Sequence, residues 1–425
     1  MTRSLSAAIS GIDAAQTMLD NVGNNIANVN TVGYQDTSVQ FADLLNQQVA
    51  PAGAPQTGVT GGVNPIFVGS GVRVSSTSTN FTEGTNVQTG SPTDVAIQGT
   101  GFLVAQQNGQ TYYTRAGNLK LDANGQLVTQ TGALIQGWSP TTAGGTILTT
   151  GPTGPLSIPQ GQAANPAATA NITLGGNLPA WNGATVTTQP SYTATTTAYD
   201  SLGNQIPITV TFTATSGTAD SYGVKVTTPT PGSTTGGTTS LGSGTITFDP
   251  TTGQMTSTTP IPLTGFPTSY SVPTAGMNLD FPAAGTTGAV TQFSGSSTIA
   301  VASQDGYPSG TLQNFSIGSD GTVTGTYANG KTQSLGVIAM ANFANENGLT
   351  KVGNLNYQST LNSGTAQLGT PGTGGRGQLL GGSLENSNVS LGTELSNLIV
   401  AQTAYQADTK VVSTTSMVLQ SLVQM

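Results

Sequence analysis

The glycine spacing in this chain that suits a phosphate cradle is Gly372-Thr373-Gly374-Gly375-Arg376-Gly377, which fits G-x-G-x-x-G. Such a loop holds a pyrophosphate only where a strand leads in and a helix N-terminus follows. Here Asn362-Ser363-Gly364, Gly369 and Pro371 precede it, so a flexible linker is expected. Asp122-Ala123-Asn124-Gly125 opens like a calcium loop, but no Glu closes it and its glycine comes too early, which leaves a β-turn. Asp200, Asp220, Asp249, Asp280, Asp305 and Asp320 are the acids a fold might gather for acid–base work, and turn chemistry explains each alone. Cys and His are absent, which removes thiol and imidazole metal sites, Cys nucleophiles, Ser-His-Asp triads and disulfides. No catalytic, cofactor-binding or metal-binding residue is assigned, no cofactor is expected, and the chain reads as a non-enzyme.

Charge is the second exclusion. Nine basic and 17 acidic residues among 425 make 6% charge, where about 25% is usual. The basic residues are scattered singly from Arg3 to Lys410, so nothing forms a footprint for nucleic acid or an anionic membrane. No run reaches the roughly 18 apolar residues of a membrane helix, so membrane insertion is not expected. The segment after Arg3, SLSAAISGIDAAQ, is too broken by polar residues to read as a secretory signal. With 58 Gly, roughly 70 Thr and 35% hydrophobic residues, the composition suits two or three modest β-rich domains with weakly charged surfaces.

The elements follow from periodicity. Near the N-terminus, Leu5, Ile12, Leu19 and Ile26 make one heptad column and Ala8, Ala15, Val22 and Val29 another, predicting a helix that breaks near Asn30-Thr31-Val32-Gly33. Toward the C-terminus, Leu391, Leu398, Tyr405, Val412 and Leu419 form a third column, with Leu395, Gln402, Thr409, Ser416 and Val423 as its companion. Between these helices the chain reads as β: hairpins turn at Asn108-Gly109, Asn124-Gly125, Asp200 to Asn204, Asp320-Gly321 and Asn329-Gly330. Residues 31 to 90 read as extended and irregular, and Ser139 to Pro166 as a linker. The fold class is mainly β with terminal α-helices, in nested discontinuous domains. Residues 1–32 and 386–425 form a terminal coiled-coil core, 33–72 and 372–385 extended linkers, 73–145 and 305–371 an inner β domain, and 146–304 an outer one.

Several segments resemble the bacterial flagellar rod and hook family. NNIANVNTVGYQ (24–35) is similar to its N-terminal signature, and GSLENSNVSLGTELSNLIVAQTAYQADTKVV (382–412) to its C-terminal one. DVAIQGTGFLVA and YTRAGNLKLDANGQLV look like the family's inner β domain, whereas QLGTPGTGGRGQLLGGSLENSNV and AYDSLGN resemble the hook branch in particular. The resemblance implies a structural subunit of the flagellar hook, the curved tube that passes torque from rod to filament. It also implies terminal helices packed as a core around the export channel, and export through the flagellar type III apparatus without a cleaved signal. Partners implied are further copies of the chain, the distal rod protein, the hook-filament junction protein and the hook cap. Leu5, Ile12, Leu19, Val22, Ile26, Val29, Leu391, Leu398, Tyr405, Val412 and Leu419 would then be the assembly core, and Gly33, Gly372, Gly374 and Gly377 the hinge positions. A distal rod protein of the same family and a secreted β-rich adhesin are the alternative readings.

Overall fold

A computed structural model describes residues 2–55, 61–140, 146–185, 187–232, 236–257, 259–273 and 276–424. It is mainly β, with one long helix near each end of the chain. The chain divides into two compact units: Met1–Pro159 with Asn314–Gly325 and Gln333–Met425, and Gln160–Gln313 with Thr326–Thr332.

In the first unit, α1 (Thr2–Ala27) and α2 (Leu391–Val423) run antiparallel, with Asp408 beside Gly11 and Glu394 beside Asn25. A long hairpin, Thr37–Asp43 against Val72–Thr79, lies along α1 and accounts for much of the segment expected to be irregular. It is anchored where Val72 N–H donates to Ser10 Oγ at 3.2 Å, and Gly71 is tight against Ala7 and Ser10, so a β-carbon there has no room. The β part of this unit is built on Phe102–Gln107, which pairs with Gln110–Thr114 across the Asn108-Gly109 turn. Both turn residues have positive φ, 53° and 77°, the geometry that Asn-Gly supplies to a two-residue hairpin. Phe81, Phe102, Tyr113, Phe343 and Tyr357 pack edge to face in its core, with centroids 4.8–6.0 Å apart.

Two stretches expected as linkers are packed instead. Leu156 and Ile158, within the Pro- and Gly-rich stretch from Ser139, are fully buried. Their backbone groups bond Leu127, Ile135 and Gly125, because two apolar side chains spaced by two suffice to add a short strand to a sheet edge. Residues 372–385 likewise carry Gln378–Gly381, paired with Val95–Gln98, and Ser383–Glu385, paired with Asn86–Gln88.

The second unit has its own core. Ser191–Tyr199, Gln205–Ala214, Ser221–Pro229 and Thr238–Thr247 form an antiparallel meander. In Gln205–Ala214, Ile206, Ile208, Val210 and Phe212 point inward while the intervening positions face out, the two-residue period of a strand with one buried face. Each such side chain contributes roughly 1.5–3 kcal/mol by leaving water. A second sheet centres on Asn171–Pro179, which pairs in parallel with Met277–Asp280 along its first half and with Val290–Phe293 along its second. Tyr222 sits between the sheets' apolar side chains and donates its hydroxyl to Pro179 O at 2.7 Å.

Burial, with Tyr192 adding to it, pushes the Tyr222 hydroxyl up from 10.0 to about 12. Since the unfolded chain ionises this group near 10 and the folded chain resists, its contribution to stability is complete below pH 10 and lost as pH rises toward 12. Tyr222→Phe is expected to flatten the alkaline decline in stability across that window. Urea melts at stepped pH measure it, and an unchanged alkaline slope would contradict the assignment.

Candidate assembly interface

The helix pair meets along small residues. Ala8, Ala14, Ala15 and Val22 are buried on α1, and Leu5, Ile12, Leu19, Ile26 and Val29 are partly buried. On α2 the inward positions are Glu394, Leu398, Ala401, Asp408, Val412 and Thr415. The companion column of α2 is therefore Glu394, Ala401, Asp408 and Thr415, one residue away from the expected Leu395, Gln402, Thr409 and Ser416, which face out. The cause is steric: the carboxylate of Asp408 lies against Gly11, where a β-carbon would collide with it, and Ala401 lets the backbones approach. Small residues fix the facing side. Within the expected column, Leu398 and Val412 are partly buried, whereas Leu391, Tyr405 and Leu419 are exposed.

Consequently α2 presents Leu395, Ile399, Val400, Val411, Met417 and Val418 to solvent, with Ile399 64% exposed. Farther along the long hairpin, Gln47–Ala50 pairs with Ile66–Val68 and exposes Val49, Ile66, Phe67 and Val68. Apolar side chains collected on one helix and one hairpin mark surfaces that another molecule covers.

At the base of the helix pair, polar groups form a knot. Asn25 is 1% exposed. Its Nδ2 donates to Asp36 Oδ1 at 2.7 Å and Thr37 O at 2.8 Å, and its Oδ1 accepts from Thr37 N and the Tyr34 hydroxyl. Asn388 Oδ1 accepts from Asp36 N at 2.7 Å, while its Nδ2 donates to Gln35 Oε1 and the carbonyls of Asn80 and Thr82. The ordering of α1 relative to the segment that follows it thus rests on two asparagine side chains that imitate backbone. Burial raises the carboxyls of Asp36 and Glu394 above their ordinary range, opposed by Lys351 at Asp36 and by the Asn25 hydrogen bond at Glu394. Burial also lowers the Lys351 ammonium, which donates to Thr37 Oγ1 and lies over the Tyr34 ring.

Beneath this knot lies an ion pair that sequence reading missed. Arg115 and Glu385 are 1% and 0% exposed, and Nε and Nη2 of Arg115 each meet one Glu385 oxygen, at 3.2 and 3.1 Å. Two further guanidinium protons go to the carbonyls of Gly99 and Gly101, and Glu385 Oε1 also accepts from Gly84 N and Gln35 Nε2. No local signal marks it, because the partners are 270 residues apart.

Among the described residues the candidate catalytic acids form no cluster of three that could hold a metal ion. Asp200 accepts from the amides of Leu202 and Asn204, Asp249 from Thr251 and Thr252, and Asp320 from Thr322, each closing its own turn. The hydroxyls of Thr251 and Thr322, joined by these amides, hold the carboxyls of Asp249 and Asp320 below the usual range; Asp200 is also lowered, against the opposing effect of its burial. Asp305 bonds the amides of Ala170 and Asn171. The glycine-rich segment is a folded loop between two strands: Gln367–Gly369, paired with Met340–Asn342, leads in where no strand was expected, and Gln378–Gly381 follows, so the helix N-terminus a phosphate cradle needs is missing. Gly372 N bonds Gly377 O, Gly377 N bonds Thr100 O, and Arg376 folds back onto the carbonyl of Thr370. Gly372 and Gly374 take φ of 73° and 56°, while Gly377 and Gly33 lie too close to the backbones of Gln98 and Ala116 for any side chain. Of the four glycines expected as hinges, Gly33 and Gly377 are thus close-packed against backbone, while Gly372 and Gly374 are set apart by their positive φ.

Two helices joined by a polar knot to β units, with apolar rows left open, define an assembling structural subunit. Family models match along the chain: "Flagella basal body rod protein" over residues 5–35, "Flagellar hook protein FlgE/F/G D1 domain" over 96–180, "Flagellar basal body protein FlaE D2 domain" over 176–307 and "Flagellar basal body rod FlgEFG protein C-terminal" over 380–425. The flagellar hook protein FlgE of Treponema pallidum is 35% identical over 466 residues, covering all of both chains. That of Salmonella typhimurium is 36% identical over 447 residues, covering 99% of this chain and all of the relative. The crystal structure of Helicobacter pylori flagellar hook protein FlgE2 superimposes with a TM-score of 0.52 at 16% identity, covering 69% of this chain and 98% of that one. The chain belongs to the flagellar hook protein family.

Removing one partner of the buried pair leaves a desolvated charge, so Arg115→Met or Glu385→Leu alone is expected to cost about 3–5 kcal/mol. The double variant should recover much of that, because both charges are gone. Chemical denaturation of the monomer reads this as a strongly non-additive double-mutant cycle; additive losses would show that the pair is not coupled.

Proposed function

We propose that this hook-family chain polymerises through its helix pair, with α1 and α2 of each copy covering the open apolar rows of its neighbours, to make the curved tube that carries torque from rod to filament. The observation that carries this reading is the outward row on α2, Leu395, Ile399, Val400, Val411, Met417 and Val418. Each is 41–64% exposed and so gains about half of the roughly 1.5–3 kcal/mol of a fully buried side chain when the remainder is covered. Leu5, Ile12, Leu19, Val22, Ile26, Val29, Leu391, Leu398, Tyr405, Val412 and Leu419 would contribute the remainder of the packed core, partly inside the subunit and partly between copies.

The rest of the reading follows from the family. Copies at one end of the tube would meet the distal rod protein, and at the other the hook-filament junction protein or, during growth, the hook cap. Subunits would reach that end through the flagellar type III export apparatus. The β units, with few charges and many Thr, would make contacts weak enough to shift as the tube bends, since exposed ion pairs contribute about 0–1 kcal/mol each.

Because Ile399 and Val418 are exposed, replacing both with Asp should change monomer stability by no more than about 0.5 kcal/mol each, yet polymer formation should fail. Ile12→Asp with Leu19→Asp should also block polymerisation, with some loss of helix docking. Sedimentation and electron microscopy of the purified chain distinguish these, and tubes formed by either pair of substitutions would refute the helical core. In cells lacking the gene, basal bodies should end at the rod.

A further inference from the structure

We propose that the first unit carries a docking cleft for a Thr- and Gly-rich loop of a second copy of this chain, where the end of α1 faces two hairpin turns. The inference rests on polymerisation and names a contact separate from the helical core. The cleft encloses about 490 Å³, lined by side chains that include Asn24, Asn28, Asn118, Gln130, Asn354 and Leu355.

Its rim is strained. Asn354 and Leu355 occupy the two central places of a tight turn closed by Asn356 N to Gly353 O at 2.9 Å, with φ of 52° and 61°. Glycine or asparagine suits such places, and a leucine held there is strained. Leu355 is partly buried and lies outside the aromatic cluster around Phe102, while lining the cleft. Strain of this kind persists where the side chain serves something beyond the fold.

Chemistry selects the occupant. Lys351 is the one charged residue lining the cleft, and the rest is amides, hydroxyls and apolar surface. Amide side chains offer donors and acceptors together, which suits an extended polypeptide backbone with small, uncharged side chains. This chain supplies such segments itself, with 58 Gly and 6% charge. The cleft also adjoins the assembly helix, because Asn24 lies on the last turn of α1. In a helical polymer a cleft on one copy and a loop elsewhere on the next make a head-to-tail contact that repeats without closing.

The chain has no Cys, so Gln130→Cys labelled with benzophenone maleimide places a single photo-crosslinker at the cleft. Irradiated polymer should give crosslinks between copies that map to a Thr- and Gly-rich loop, and irradiated monomer should not. Leu355→Gly should raise the thermal midpoint of the monomer and reduce polymer yield about tenfold, as expected for loss of an anchor in a docking pocket. Crosslinks confined to one copy, or wild-type polymer yield from Leu355→Gly, would overturn the cleft while leaving the helical core intact. Failure of the unmodified chain to polymerise would overturn both.

Discussion

The ion pair between Arg115 and Glu385 is the constraint on which the first unit depends. Taking two charges out of water costs several kcal/mol each, and only close pairing with every remaining lone pair and proton satisfied offsets that. Here most of the requirement is met: two contacts within the pair, two glycine carbonyls for Arg115, and Gly84 and Gln35 for Glu385. Those partners come from three stretches of chain, around Gln35, Gly84 and Gly99–Gly101, so the pair forms only when all of them arrive. Glu385 ends the strand that pairs with Asn86–Gln88, and α2 begins six residues later. The register of that strand therefore sets where the C-terminal helix starts.

What lies above the pair is correspondingly polar. Asn25 and Asn388 hold α1 and the segment after it by hydrogen bonds, each worth about 1 kcal/mol net, and the seam between the helices is mostly alanine, glycine and short polar groups. A seam of small residues removes little apolar area from water, whereas the second unit buries Ile, Val, Leu and Phe on both of its sheets. Apart from Leu398 and Val412, the large apolar residues of α2 point away from α1. An isolated helix pair of this kind is docked but weakly held, and most of its hydrophobic free energy is left for contacts with other molecules.

How much of this was legible follows from the range over which each signal acts. Asn108-Gly109 was readable because a left-handed turn is a property of two residues, and Asn329-Gly330 because its turn needs a positive φ at Gly330 alone. The alternation in Gln205–Ala214 was readable because one buried face imposes a period of two. Both helices were readable from their heptads, but the inward side of α2 was not. Reading the largest residues as the core chose Leu395, whereas the structure faces Glu394 and Asp408 inward, because Gly11 on the other helix sets the approach. Leu156 and Ile158 were hidden in a stretch dominated by Pro and Gly, where two apolar residues carry no periodicity. Arg115 and Glu385 left no trace at all, since pairing over 270 positions has no local signature.

The scarcity of charge now has a structural meaning. Among the described residues the Arg115–Glu385 bridge is the ion pair, and it is buried. Turn acids such as the partly buried Asp122 and Asp249 and the exposed Asp320 spend oxygens on the amides of their own turns, so they stiffen loops without linking one surface to another. Charges placed this way are indifferent to what slides past them. A buried pair fixes geometry because moving either partner exposes an uncompensated charge, while a surface of hydroxyls and glycines exchanges one neighbour, or water, for another at little cost. The same composition thereby gives a first unit held by one buried charge pair, while its described turn acids are committed to their own loops.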